Sequence, residues 1–307
     1  MTVLTMPVQP GQGATRRPVP WQRMVWVTWR QHRAMLITLA AVLGAVAVFL
    51  IVAGLWVHRN FAVLMACHPA DSAACAALNR SFSNTDWTMG NTVLIFMNLA
   101  PALIGAFTGP SVMARELETG TFRFAWTQGI GRVRWTVAKL VLLAIAVTVM
   151  AWAFSQLFAW FFDPFLTTAG MNVLAATVFT TRGIAFAAWS LAAFSIGAFL
   201  GMLLRRIVPA MAATLGLYLG LDVLAWLVLR EDYPVAASTT SGKLFSGPNT
   251  PNSPWILKTW TTGDTHWWRY IPVSRFWPMQ FIEAGWLLIL SALLVAGTVW
   301  LVRRRAA

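Results

Sequence analysis

Apolar and polar positions along the chain alternate on a long scale: extended apolar runs are separated by short polar stretches. Six runs reach the roughly 20 residues that a helix needs to cross the hydrocarbon layer. They cover residues 35–57, 91–113, 135–162, 181–204, 207–229 and 279–302. The pattern predicts an all-α polytopic membrane protein, with six transmembrane helices forming one domain over 35–302. Residues 1–20 are rich in Pro, Gly and Gln, carry Arg16 and Arg17 and have no apolar core. They read as a disordered tail rather than a cleaved leader.

Residues 21–34 mix aromatics with Arg23, Arg30, His32 and Arg33. Wound as a helix, they put Trp21, Met24, Val25 and Thr28 on one side and Arg23 and Arg30 opposite. That pattern suits an amphipathic helix lying in the membrane interface; the alternative is a snorkelling extension of the first span. The longest polar stretch, 230–278, is rich in Pro, Ser, Thr and Gly and reads as a loop. A basic tail, 303–307, closes the chain.

Composition supports the membrane reading. Apolar residues make up 58% and charged residues 11%, with 18 Trp and 19 Phe. A soluble domain needs about 25% charged residues to cover its surface. The net charge of +13 would suit a nucleic-acid binder, but the basic residues sit at the ends of apolar runs and form no stripe. They act as a topology signal. With the N-terminus inside, fifteen Lys and Arg fall on the cytoplasmic side and eight outside. Both termini are then cytoplasmic, and 230–278 is an outside loop. Cys67 and Cys75 both fall in the first outside loop, which also carries Asp71, Asn79 and Arg80. Two cysteines in one exported loop suggest a disulfide, with buried thiols as the alternative.

Enzyme chemistry has little support. The lone Gly-Lys pair, Gly242–Lys243, lacks the upstream Gly and the following Ser or Thr of a phosphate-binding loop. The histidines His32, His58, His68 and His266 are scattered without metal-ligand spacing, and no Gly-x-Ser-x-Gly elbow exists. No catalytic, cofactor or metal residue is assigned. The first and last three spans show no repeat, which weakly disfavours paired-repeat carriers.

Ionisable residues at membrane depth are functional candidates. Asp222 lies well inside the fifth span, Glu283 near the start of the sixth, and Arg182 opens the fourth. All three fall at outer-leaflet depth, where a cluster could form a gate or line an exit path. The alternative has Arg182 and Glu283 snorkelling, so that only Asp222 needs a partner. In the second span, Pro101, Gly105, Gly109 and Pro110 should bend or break the helix. After it comes ARELETGTFRFAWTQGIGRVR, in which Thr119 or Thr121 can cap a short helix placing Phe122, Ala125 and Trp126 on one face. A cytoplasmic helix with an aromatic face needs a docking partner, unless its rings rest among the headgroups.

At Glu116, Glu118, Gly120, Thr121, then Thr127-Gln128-Gly129, Arg132, Arg134 and Lys139, the chain resembles the permeases of ABC-2 type (type V-like) ABC exporters. The whole plan is similar too: an interfacial helix, six spans, both termini inside and a long outside segment before the last span. Many members have Pro where Gln128–Gly129 stands and Gly where Ala138 stands. The Thr-Gln-Gly variant and the Ala/Trp/Arg-rich composition are similar to permeases of high-GC actinobacteria.

The resemblance implies a bacterial plasma-membrane subunit that hydrolyses nothing itself. ATP and Mg2+ would sit on a separate ATP-binding subunit, present in two copies, beneath a homodimer or a pair of homologous permeases. The segment after the second span would be the coupling helix, with Phe122 and Trp126 in the ATPase cleft and Glu116, Glu118, Thr121 and Arg123 around them. Closure of the ATPases would bend the second span at Pro101 and Pro110 and drive a lipophilic drug, antibiotic or lipid outward. In this family short helices before the last span dip into the outer leaflet, a position that Trp255, Trp260, Trp267, Trp268 and Trp277 would suit. Two other classes stay open: a proton-coupled carrier using Asp222, and a non-transporting membrane anchor or sensor.

Overall fold

A computed structural model describes residues 21–69, 72–118, 120, 132–168, 171–230, 233, 238–241, 254–263 and 265–305. In chain order the elements are α1 (Trp21–Met65), α2 (Ala73–Ser81), α3 (Trp87–Glu118), α4 (Arg132–Thr168), the short α5 (Ala176–Phe179), α6 (Gly183–Leu204) and α7 (Ile207–Leu224). Strands β1 (Ser238–Ser241), β2 (Trp255–Thr262) and β3 (Thr265–Ile271) follow, and α8 (Phe276–Arg305) ends the fold. A π turn, Phe82–Asp86, joins α2 to α3, and another, Ala225–Leu229, extends α7. Six helical segments are long and apolar enough to cross a membrane, and each contains nearly all of one run read from the sequence. Successive spans reverse direction, giving the bundle two ends. Arg115, Arg205, Arg206 and Arg303 mark a basic end, while the strands and the Cys67–Cys75 disulfide mark a sheet end.

Three readings change. The segment 21–34 is not a separate interfacial helix: α1 runs unbroken from Trp21 to Met65, because no Pro or Gly interrupts the chain between Pro20 and Gly44. The second span does not break. It is helical through both Pro101 and Pro110, and its glycines face a neighbouring helix. The 230–278 segment contains no membrane-dipping helices among its described residues but an antiparallel sheet of order β1-β3-β2. Trp255, Trp260, Trp267 and Trp268 lie on its strands, and Trp277 lies in the first turn of α8. The β2 and β3 sequences, WILKTWTT and THWWRYI, are dense in the β-branched and aromatic residues that fit a pleated surface. Thr262 pairs with Thr265 across a two-residue turn containing Gly263 at φ 61°, the backbone a tight hairpin requires.

Helix α6 is the centre of the bundle, packed by α3, α4, α7 and α8. Lipid tails are as apolar as the helices, so association depends on close contact, which small residues permit. Gly105 and Gly109 on α3 meet Gly197 on α6, and Gly201 on α6 meets the Pro110 backbone. A Cβ at Gly109 would lie 2.5 Å from the Phe194 carbonyl oxygen, and one at Gly197 2.7 Å from that of Gly105. These two Gly-x-x-x-Gly pairs bring the backbones together. Several hydroxyls inside the spans donate one turn back, as in Thr108 to Ile104, Ser190 to Phe186 and Thr214 to Ala210, which keeps them bonded in an apolar setting. Helix α4 adds an aromatic seam in which Phe158, Phe161, Phe162 and Phe165 pack around Phe82 and Leu94.

Candidate functional site

Two polar constellations interrupt the apolar bundle, one at each end. At the sheet end, Glu283 of α8 is fully buried and all of its acceptor capacity is used. Its Oε1 accepts from Trp189 Nε1 at 2.6 Å and from an Arg230 terminal nitrogen at 2.7 Å. Its Oε2 accepts from Arg230 Nε at 3.0 Å and from the Tyr233 hydroxyl at 3.2 Å. Arg230 is 2% exposed, and its guanidinium lies 5.5 Å from the centre of the Phe179 ring. Burial and the neighbouring Glu283 carboxylate hold the Tyr233 phenol above its ordinary range. It therefore stays a donor to Glu283, and itself accepts from Trp286 Nε1 at 3.2 Å.

Gln280, one turn earlier on α8, closes the start of α6. Its Oε1 accepts from the Ala185 amide at 2.8 Å, and its Nε2 donates to the Phe179 and Arg182 carbonyls. Arg182 occupies the N-cap position but makes no side-chain cap, so a residue almost a hundred positions away supplies it.

The three ionisable residues expected to cluster do not all meet. Glu283 joins Arg230. Arg182 instead turns to α4, where it donates to Asp163 and to the Ala159 carbonyl. Asp222 lines a cavity with Arg230, Asn98, Thr180 and Trp226, and its carboxylate makes no hydrogen bond or ion pair with a described residue. Arg230, Tyr233 and Gln280 were missed because they sit in or beside the segment read as a loop, where single polar residues carry no signal. Trp189 was missed because nothing in sequence separates it from a lipid-facing Trp.

At the basic end, Glu116 closes α3 against a neighbouring helix. It forms an ion pair with Lys139 of α4, which is fully buried beside the Trp135 ring. Glu118 accepts from the Ile207 amide at 3.3 Å, placing a carboxylate on the first turn of α7, where the helix dipole favours it. Gly120 follows at φ 69°, the left-handed backbone that ends helices. The two carboxylates thus tie the end of α3 to α4 and α7. Thr121, Phe122, Arg123 and Trp126 lie outside the described residues. Lys139 was quoted in the motif, but no spacing rule pairs it with Glu116 across 23 positions. Among the described residues no group of His, Cys, Asp and Glu could hold a metal ion.

Six helices long and apolar enough to cross a membrane define the class of all-α polytopic membrane proteins. The model of the ABC-2 membrane transporter related family matches residues 40–230, and the chain belongs to that family. Such permeases work with an ABC ATP-binding subunit. The match runs from α1 through Arg230 and leaves the sheet and α8, with Glu283, beyond it. No curated protein and no solved structure matches the chain.

Proposed function

We propose that the chain is the permease subunit of an ATP-driven exporter in a bacterial plasma membrane, with the basic end and both termini in the cytoplasm. Two permease copies, identical or homologous, form the pathway, and each docks one of two ATP-binding subunits through residues 121–131. ATP and Mg2+ bind the partner, and this chain hydrolyses nothing. The cargo is lipophilic and moves outward.

The observation that carries the reading is the anchoring of the second-to-third span junction. Glu116 is held by buried Lys139 and Glu118 by the start of α7, so 121–131 leaves from a fixed base on three spans. Force applied to that segment would reach α3 and, through its glycine contacts, the central α6. Fifteen of the 23 Lys and Arg fall on the side assigned to the cytoplasm.

The test is purification of the tagged chain from native membranes. A stoichiometric partner with an intact phosphate-binding loop is expected, lost on combined Phe122→Asp and Trp126→Asp substitution, since aromatic anchors typically cost about 2 kcal/mol or more when removed. A chain that purifies alone and moves cargo on a proton gradient overturns the reading.

A further inference from the structure

The Asp222 cavity at the sheet end is a site in its own right. Its volume is about 240 Å3, and it lies between α3, the α5 turn and α7. Arg230 stands between two carboxylates, hydrogen-bonded twice to Glu283 and lining the cavity with Asp222. One guanidinium thus serves two carboxylates, and Asp222 makes no hydrogen bond or ion pair of its own with a described residue, which leaves a net negative charge at this place in a membrane span. Such a charge is costly in an apolar setting and marks a place for a counter-ion.

The cavity wall specifies which. Asn98 uses both amide hydrogens, on the Leu94 and Thr177 carbonyls, while its Oδ1 accepts from the Thr180 hydroxyl. The Thr180 hydrogen is thereby consumed as well. What Asn98, Thr180 and Asp222 have left to offer are acceptor lone pairs. The donors in the lining are the Arg230 guanidinium, engaged by Glu283 through Nε and one terminal nitrogen, and the Trp226 indole N–H; the net negative charge of the two carboxylates and one guanidinium selects a donor that carries positive charge. Trp226 adds an aromatic face, which attracts cations.

Size and access complete the description. The volume is below the range of about 300–1,000 Å3 usual for whole drug-sized ligands, so a head group fits and a long tail does not. The mouth is bordered by Val223 and Trp226, about half exposed on the outer face of α7, where a tail can lie along the lipid.

We propose that this cavity binds the protonated amine of a cationic amphiphile, the amine on Asp222 and its apolar body outside along Val223 and Trp226. The site thereby names the cargo class of the exporter, an assignment that rests on the permease reading.

The probe is radiolabelled octylammonium, measured by scintillation proximity on the chain purified with its ATP-binding partner in neutral maltoside micelles. Saturable binding is expected, displaced by unlabelled octylammonium but not by octyl sulfate. Asp222→Asn should weaken it at least tenfold, Asp222→Glu by threefold or less, and Trp226→Leu several-fold. Absence of saturable binding to the wild-type chain, equal displacement by octyl sulfate, or wild-type affinity in Asp222→Asn overturns the proposal. The wild-type competition decides even if a variant misfolds. A preparation that keeps its partner but binds no octylammonium sinks the site and spares the permease reading. One that binds octylammonium yet never retains a partner does the reverse.

Discussion

Replacing Glu283 by Ala removes the acceptor of four hydrogen bonds from a fully buried position. Arg230, itself 2% exposed, keeps its charge and loses its counter-ion. Breaking a buried pair from one side costs about 3–5 kcal/mol, because a buried charge is left uncompensated. Asp222 shares a cavity with Arg230 and can take up part of that charge, so the expected loss is near the lower figure, about 3 kcal/mol. Two further variants separate this account from simple cavity formation. Glu283→Met with Arg230→Met removes both charges and should be less destabilised than Glu283→Ala alone, since apolar replacement of a buried pair is often neutral. Asp222→Asn should cost more in the Glu283→Ala background than in wild type, a coupling that a double-mutant cycle isolates. The assay is reversible unfolding in mixed micelles by SDS titration, followed by far-ultraviolet circular dichroism. A Glu283→Ala loss within about 0.5 kcal/mol, the range of ordinary surface changes, would refute the reasoning. So would a double variant weaker than the single.

The remaining predictions use the same assay or a simple extension of it. Gly109→Val puts a side chain into the Phe194 and Gly197 backbone and should cost about 1–3 kcal/mol by overpacking. Gly44→Ala, with nothing within 4 Å, should stay within about 0.5 kcal/mol. Lys139→Met removes the buried partner of Glu116 and should lose less than the roughly 3–5 kcal/mol of a fully buried pair, since Glu116 is partly exposed, with part of the loss recovered when Glu116→Gln is added; in the assembled complex, the single variant should also lower cargo-stimulated ATP hydrolysis. Cys67→Ser with Cys75→Ser opens a loop of sequence separation 8 and should cost about 2.5 kcal/mol by the chain-entropy relation, with no change when the wild-type protein is first reduced.

Several features were legible in the sequence alone. A hydrocarbon layer fixes the length of any helix that crosses it, so the six spans can be counted without a fold. The paired cysteines of one loop announced their bond for a similarly local reason: eight positions apart, they had little distance to close. The Glu116–Lys139 motif also stood out, as letters in a pattern, though its physical content did not.

The tertiary structure decided everything that depends on which side chain faces which. Gly105 and Gly109 look like helix weaknesses in isolation, because glycine lacks a side chain to pack. Set against Gly197 on α6, the same absence lets the two backbones come into contact. The fate of the charges could not be read either. Arg182, Asp222 and Glu283 sit at one depth, yet Arg182 turns to Asp163 and Glu283 to Arg230, leaving Asp222 without an ion pair of its own across the cavity from Arg230. Depth follows from position along a helix and is local; partnership follows from the rotation of each helix about its axis, which only packing against neighbours sets. The sheet is the same case, since strands become recognisable when their partners are in place, and β1 finds β3 across more than twenty intervening residues. Apolar length thus determined the number of spans, and the contacts among them determined which buried charges are neutralised and which one is left to meet a ligand.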